Sequence, residues 1–224
     1  RNDLVVVSPY DESNGNNNGV IYIYDNNLTG SVNTSAAFAS ILGAGGAATK
    51  IGEYGVALVG DIDGDGWQDI SVSCKDGDAN GVDSGIIYYL GGPFNGQKLV
   101  TDTFATRYGS SSDQVFSASP AGDLNGDGQN DIVWSSPAAN HQLGAIWVDF
   151  GPISGDQSGD LANATITGAN AGDELGVSVH TSDLDGDGIG DLIVASQAIN
   201  GTGQIFIFNG PPQDSDRNDA DASR

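Results

Sequence analysis

Three decapeptides in this chain place acidic or amide side chains at the same four positions. They read DIDGDGWQDI, DLNGDGQNDI and DLDGDGIGDL. Oxygen-bearing side chains occupy positions 1, 3, 5 and 9, which are Asp61, Asp63, Asp65 and Asp69, then Asp123, Asn125, Asp127 and Asp131, then Asp183, Asp185, Asp187 and Asp191. Glycines at positions 4 and 6 allow the positive φ angles of a tight loop. Several oxygens can therefore converge on one point, where a cation would relieve the repulsion between the carboxylates.

The ligand set indicates calcium at each loop. Six to eight oxygens at flexible distances suit Ca²⁺, whereas Mg²⁺ requires near-octahedral geometry and retains its waters. Position 7 carries Trp67, Gln129 or Ile189, so we expect its backbone carbonyl rather than its side chain to be a ligand. The alternative is three Asp-Gly turns without metal, but three copies in one register favour metal sites. The middle site, with Asn125 in place of a carboxylate, is predicted to be the weakest.

The EF-hand shares the first half of this pattern but requires a bidentate Glu at position 12 and a helix on each side. Position 12 is Val72, Trp134 or Val194 here. The segments that follow the loops, DISVS, DIVWSS and DLIVAS, are short and rich in β-branched residues, as buried strands are. The loops are therefore predicted to lie between strands, and the EF-hand is excluded.

The strands around each loop belong to a long repeat. The first and second loops begin 62 residues apart, and the second and third begin 60 residues apart. Each repeat has an apolar lead-in, the acidic loop, a strand, a polar turn and a second strand, such as GIIYYLGGP, GAIWVDFGP or GQIFIFNGP. A weaker stretch such as DLANATITG precedes the next lead-in. About four short strands per repeat is the unit of a propeller blade.

The phrases YGVALVGDIDGDGWQDISVS and LGVSVHTSDLDGDGIGDLIVAS resemble the FG-GAP repeat of integrin α-subunit β-propellers and their relatives. The resemblance implies an all-β fold, a β-propeller of four-stranded antiparallel blades. It places the calcium loops between the first and second strands on the lower face and the ligands on the upper face. About 3.5 blades of a ring of about seven are expected, over residues 1–50, 51–112, 113–172 and 173–212. Residues 213–224 are expected to be an acidic polar tail or linker.

The start of the chain aligns with the end of an acidic loop. RNDLV matches QNDIV from Gln129, so Asp3 takes position 9 of a fourth calcium loop whose first positions are absent. We therefore expect the chain to be part of a larger assembly, in which another chain or a missing segment completes the propeller.

Charge and composition restrict the partners. Thirty acidic residues against seven basic ones give a formal net charge of −23, and three bound Ca²⁺ would neutralise only part of it. Nucleic acid and anionic membranes are therefore not expected as partners. The only cysteine, Cys74, leaves no internal disulfide, and no apolar run has the length of a membrane span. Calcium is scarce in the cytosol, so we expect a secreted, extracellular or cell-surface protein.

No catalytic motif accompanies the loops. His141 and His180 have no nucleophile or metal partner at motif spacing, and neither HExxH nor GxSxG occurs. We therefore predict no enzymatic activity and three possible roles. The first is adhesion or recognition of protein or glycan through polar loops at 10–18, 76–84 and 138–143. The others are a structural subunit of a surface layer or appendage, and an accessory propeller of a secreted polysaccharide-acting enzyme.

Overall fold

The structure, a computed structural model, describes residues 3–15, 17–44, 50–115, 117–197 and 202–210, together with the backbone of 217–218. The first two repeats contribute β1 (Leu4–Ser8), β2 (Val20–Tyr24), β3 (Ala39–Leu42), β4 (Val56–Gly60), β5 (Asp69–Cys74), β6 (Ile86–Leu90), β7 (Gly96–Leu99) and β8 (Ala105–Tyr108). The remaining strands are β9 (Ser117–Gly122), β10 (Asp131–Ser136), β11 (Ala145–Asp149), β12 (Gly155–Ser158), β13 (Ala164–Thr167), β14 (Leu175–Ser182), β15 (Asp191–Ser196), β16 (Gln204–Phe208) and β17 (Arg217–Asn218).

Helical structure in the described residues is confined to single turns, at Thr34–Ala36, Ala139–Gln142 and Gly159–Leu161. None of these turns could span a bilayer.

The strands form four sheets, in the orders β1-β2-β3-β7, β4-β5-β6-β8-β12, β9-β10-β11-β13-β17 and β14-β15-β16. Within each sheet, strands of one repeat pair antiparallel in chain order. This arrangement confirms the predicted all-β class of antiparallel propeller blades. The fourth sheet has three strands within the described residues, and most of the expected tail at 213–224 lies outside them.

Three sheets have an outer strand that the sequence did not predict. Strands β7, β12 and β17 each run parallel to the outer antiparallel strand of the preceding repeat's sheet, pairing with β3, β8 and β13 respectively. Each chain segment that leaves the third strand of one blade therefore first covers the edge of the previous blade. An unpaired sheet edge exposes backbone donors and acceptors, so these crossing strands both protect the edge and link adjacent blades.

The core lies between successive sheets in three apolar clusters, one for each pair of neighbouring sheets. The middle strands β5 and β10 are buried along their whole length. Because both faces of these two strands are covered, apolar residues do not alternate with polar ones along them. This explains their continuous apolar or small-residue sequences. The second-to-third interface also contains Trp134 stacked on Trp147, with ring centroids 4.4 Å apart. These two indoles are therefore packing residues.

Gly144 marks a close approach between the third and fourth sheets. Its φ is +82°, and an added Cβ would lie 2.2 Å from the carbonyl oxygen of Leu175. We expect Gly144→Ala to destabilise the protein by at least about 2 kcal/mol, because left-handed strain and a backbone clash combine. Gly30→Ala is the matched control, since Gly30 has φ +68° but no atom near its Cβ position. Urea unfolding in calcium buffer measures both variants, and equal losses would show that the close approach is wrong.

Candidate metal centres

Each acidic loop joins the inner strand of a sheet to its second strand. The three connections are β4–β5, β9–β10 and β14–β15, and position 9 of each loop is the first residue of the second strand. All three loops therefore lie at the same end of their sheets, which we call the lower face. The opposite end, where β5, β10 and β15 finish, is the upper face.

The position 1 carboxylate of each loop organises the backbone around it. Its two oxygens accept hydrogen bonds from the N–H groups of the glycines at positions 4 and 6, at 2.6 to 3.0 Å in all three loops. These six glycines have φ between +78° and +91° and open space at their Cβ positions. The glycines are therefore required for backbone conformation and not for close packing.

Positions 3 and 5 use their side chains in the same way, one step further along the loop. The side-chain oxygen at position 3 accepts from the N–H of position 5, and the carboxylate at position 5 accepts from the N–H of position 7. The N–H···O distances are 2.8 to 3.1 Å. These Asx-type turns hold the loop in one shape.

The position 9 carboxylates are buried. Asp69, Asp131 and Asp191 are at most 1% exposed, and each accepts two backbone hydrogen bonds. One comes from position 2 of its own loop and the other from the glycine that follows the third strand, at 2.7 to 3.2 Å. Burial raises the pKa of Asp69 and Asp131 above the usual carboxyl range, although these N–H donors oppose the shift. A nearby cation would offset the cost of that buried charge.

The predicted ligands converge in two of the loops. Carboxylate oxygens of Asp61, Asp63 and Asp69 all lie within 4.8 Å of one another, as do those of Asp183, Asp185 and Asp191. Ca²⁺ binds oxygen at about 2.4 Å, so the oxygens around one ion lie within about 4.8 Å of each other. Positions 1, 3 and 9 thus fit one calcium ion. Asp65 and Asp187, at position 5, lie outside these groups.

The middle loop has the same backbone arrangement with one carboxylate fewer. Asn125 Nδ2 donates to Asp127 Oδ2 at 2.9 Å, so the amide stabilises a neighbouring carboxylate by a hydrogen bond. Backbone hydrogen bonds to its carboxylate, of which the one from the N–H of Gly128 has the largest effect, lower the pKa of Asp123 below the usual carboxyl range. Asp123 is therefore held in its charged form, as a metal ligand requires.

We expect Asn125→Asp to raise the calcium affinity of the middle loop about tenfold, because it gives position 3 the charged ligand that the other two loops have. Gln129→Glu is the matched control. It adds the same charge to the same loop, but at position 7, where the expected ligand is the backbone carbonyl. Calorimetric titration of both variants compares the sites. Equal gains for the two would show that general charge, and not ligation at position 3, sets the affinity.

The loops also connect neighbouring blades. The position 2 side chains Ile62 and Leu124 are buried in the core shared with the following sheet. The position 1 carbonyls accept hydrogen bonds from the following blade, from Asn130 Nδ2 to Asp61 at 3.0 Å and from the Gly190 N–H to Asp123 at 3.3 Å. Leu184 of the third loop is 52% exposed because the described chain places no blade beyond it. An ion in the first or second loop would therefore stabilise a blade junction as well as a loop.

Sequence reasoning missed the glycines that bind position 9. Gly92, Gly151 and Gly210 each donate a backbone N–H to the position 9 carboxylate of their own blade. The available signal was the Gly-Pro pair that ends each third strand, in GGP, FGP and NGP. Its recurrence 19 to 23 residues after each position 9 Asp marks the backbone N–H that closes the loop.

Comparison with known proteins agrees with this geometry. The FG-GAP repeat family model matches residues 116–149 and 175–208, which include the second and third loops. The chain is also 27% identical to integrin alpha-PS2 of Drosophila melanogaster, over 73% of this chain. The alignment spans 12% of that much longer protein. These matches confirm the FG-GAP resemblance that the sequence motifs indicated.

Proposed function

Since the chain carries FG-GAP repeats, we propose that it is an extracellular, calcium-stabilised propeller module that recognises a protein or glycan without catalysis. The observation that carries this proposal is the threefold repetition of one acidic loop with one hydrogen-bond arrangement. Metal sites that serve chemistry keep an open coordination position and usually occur singly, whereas repeated sites at equivalent places support structure. The loops therefore support a scaffold role for calcium.

An extracellular location follows from the supply of calcium. Extracellular calcium modules bind their ion with dissociation constants of about 10⁻⁴ to 10⁻³ M, which suits the millimolar calcium outside cells. The likeness to an integrin α chain, a surface protein, supports the same location.

Recognition is assigned to the upper face. The connections between second and third strands reach this face at residues 9–15 with 17–19, at 75–85 and at 137–144, and they differ in sequence while the calcium loops repeat. Variable polar loops on a rigid scaffold are the usual place for binding. Calcium at the lower face would then hold the blades in the positions that the upper-face connections need for binding.

Binding arrays test this function. We expect the purified chain to bind members of an array of extracellular-matrix proteins and glycans in millimolar calcium and to lose that binding in EGTA. Shortening the 75–85 connection should weaken binding while the calcium-dependent melting temperature is retained. Binding that is unchanged both by EGTA and by shortening of the 75–85 connection would contradict the proposal. Turnover of a glycan by the purified chain would also contradict it.

We further propose that a strand and acidic loop of the same repeat, from another segment or chain, completes the first blade. Strand β1 is an open edge of its sheet in the described residues. Beside it lies an apolar cleft of about 660 Å³ lined by Val5, Phe38, Trp67 and Phe94, among others, with Asp3 at its rim. At the next junction, the equivalent of Phe94 is Ile153, whose N–H donates to the carbonyl of Ile62 at 2.6 Å. The cleft between the first and second sheets therefore corresponds to the space that Ile62, at loop position 2, fills between the second and third sheets.

A synthetic peptide with the sequence of residues 56–67 tests this completion. We expect it to bind the chain in calcium and raise its melting temperature, because it supplies an inner strand, a position 2 isoleucine and loop ligands. The same peptide with Ile62→Asp is the control and should bind at least about tenfold more weakly. Equal binding of the two peptides would show that the cleft does not accept position 2.

A further inference from the structure

We propose that a cleft on the upper face binds a peptide segment carrying a carboxylate, with Lys75 as the group that pairs with it. This cleft, the Lys75 cleft, has a volume of about 390 Å³ and is lined by Lys75, Gln114, Gln142, Glu174 and Gln197, together with Pro137, Ala138 and Val177. These residues come from three sheets. The inference rests on the proposed recognition function and names its ligand.

Lys75 is the charged anchor of the cleft. Its Nζ lies 4.9 Å from the ring centroid of Tyr54, and within the described residues no carboxylate oxygen comes within 4.0 Å of it. The neighbouring Asp76 carboxylate is instead 3.4 Å from Lys50 Nζ. In a chain of net charge −23, a half-buried lysine without a carboxylate partner has the positive charge that a ligand carboxylate would pair with.

Strained backbone holds the other polar side chains at the cleft. Gln114, Gln142 and Glu174 have φ of +53°, +67° and +51°, in the left-handed region that disfavours residues with a Cβ. Backbone hydrogen bonds fix them, from the Gln114 N–H to the Asp83 carbonyl at 3.0 Å and from the Glu174 N–H to the Gln142 carbonyl at 3.1 Å. Glycine would remove the strain. The same pairing recurs at the first junction, where the N–H of Lys50 (φ +44°) donates to the Asn17 (φ +51°) carbonyl, so this conformation belongs to the repeat and fixes the directions of the cleft side chains.

The chemistry of the lining favours a peptide over a sugar. Each glutamine amide has both donors and an acceptor and so matches the N–H and C=O groups of an extended peptide. Sugar sites use exposed aromatic faces, but among the described residues no aromatic side chain lines this cleft, and the Lys75 ammonium group lies over the Tyr54 ring. Glu174 opposes a second negative charge, which restricts the ligand to one carboxylate near Lys75.

Long-range repulsion from the acidic chain does not prevent this binding. At physiological ionic strength charges separated by more than about 8 Å are largely screened. The local pair between Lys75 and a ligand carboxylate therefore outweighs the distant aspartates of the lower face.

The test uses the full chain in millimolar calcium on an array of random peptides that carry one, two or no acidic residues. We expect peptides with a single Asp or Glu to be preferred, and Lys75→Gln to weaken their binding at least about tenfold. Lys98→Gln is the matched control, because it removes the same charge from β7 and should leave binding unchanged. Glu174→Gln should strengthen binding of peptides that carry two carboxylates. Melting curves in calcium identify any variant that fails to fold.

Each other outcome overturns the inference in a distinguishable way. Binding that is insensitive to Lys75→Gln would disprove the Lys75 cleft while leaving the recognition function in place. Capture of uronate glycans on a parallel array, with no peptide binding, would show that the ligand class is wrong. Absence of calcium-dependent binding on both arrays would contradict the recognition function as well.

Discussion

Removal of calcium with EGTA is expected to lower the melting temperature by about 15 to 30 °C. With three or four carboxylates per loop we expect a dissociation constant of about 10⁻⁵ M, tighter than that of most extracellular modules. Millimolar calcium is then about 100 times this constant and stabilises the folded state by about 2.7 kcal/mol per site, so three sites contribute roughly 8 kcal/mol. For a chain of this size each kcal/mol corresponds to about 2 to 4 °C. Such a loss is comparable with the whole stability of an ordinary domain, about 5 to 15 kcal/mol.

The position of the loops explains why the effect should be global. The buried carboxylates Asp69 and Asp131 stand at the start of the central strands, and Ile62 and Leu124 of the same loops are packed into the following blade. Without a cation, repulsion between the loop carboxylates acts directly on these junctions. Melting curves in calcium, magnesium and EGTA measure the effect. We expect magnesium to restore only part of the stability, and a melting temperature that is the same in calcium and EGTA would contradict a structural role for the ion.

Arg107→Met is expected to lower the free energy of unfolding by about 3 to 5 kcal/mol, because it leaves a buried carboxylate without its counter-charge. Arg107 Nε donates to Asp149 Oδ2 at 2.7 Å, and both side chains are 3% exposed. The same guanidinium donates through Nη1 to the backbone carbonyls of Thr106 and Gly155. One side chain therefore connects β8, β11 and the start of the crossing strand β12.

Lys50→Met is the matched control for this prediction. Lys50 pairs with Asp76 at 3.4 Å, but this pair is exposed to solvent and should contribute at most about 1 kcal/mol. Urea unfolding at constant calcium gives both values, and an unchanged dependence on urea would show that the unfolded state is the same. Similar losses for Arg107→Met and Lys50→Met would mean that the buried pair does not stabilise the blade junction.

The parts of the molecule that the sequence predicted are those that repeat locally. Each acidic loop is a contiguous decapeptide, and the strands beside it have β-branched or aromatic residues, so one copy can be compared with the next. For this reason the blade architecture and the loop-to-strand connections agree with the expectation from the motifs. Occupation of the loops by calcium stays a prediction, because the geometry establishes only that the oxygens of two loops are close enough to share an ion.

The parts that were not predicted depend on residues far apart in the chain. Strands β7 and β12 have the polar sequences GQKL and GDQS, which lack apolar alternation because each lies at the outside of a sheet. Their partners belong to the preceding repeat, and no local pattern identifies such a pairing. The ion pair of Arg107 with Asp149 likewise joins residues 42 positions apart. In the sequence, each of these charged residues would be expected on the exposed side of a strand.

The upper face was predicted only in outline. The connections between second and third strands were expected to carry recognition, and they do reach that face. The Lys75 cleft was not foreseen, since it combines the ends of these connections with the residues that precede β9 and β14. The left-handed conformations of Gln114 and Glu174 have no sequence signal, because glycine, the usual indicator of positive φ, is absent there.

Calorimetric titration of the calcium-free chain with Ca²⁺ tests the central claim most directly, because it counts the ions bound. We expect three sites for the unmodified chain and two after Asp61→Ala, Asp123→Ala or Asp183→Ala, each of which removes the position 1 carboxylate of one loop. Asp156→Ala, which removes an acidic residue outside the loops, should leave three sites. A stoichiometry that is unaffected by the three loop variants, or an absence of binding at millimolar calcium, would contradict calcium binding at these loops.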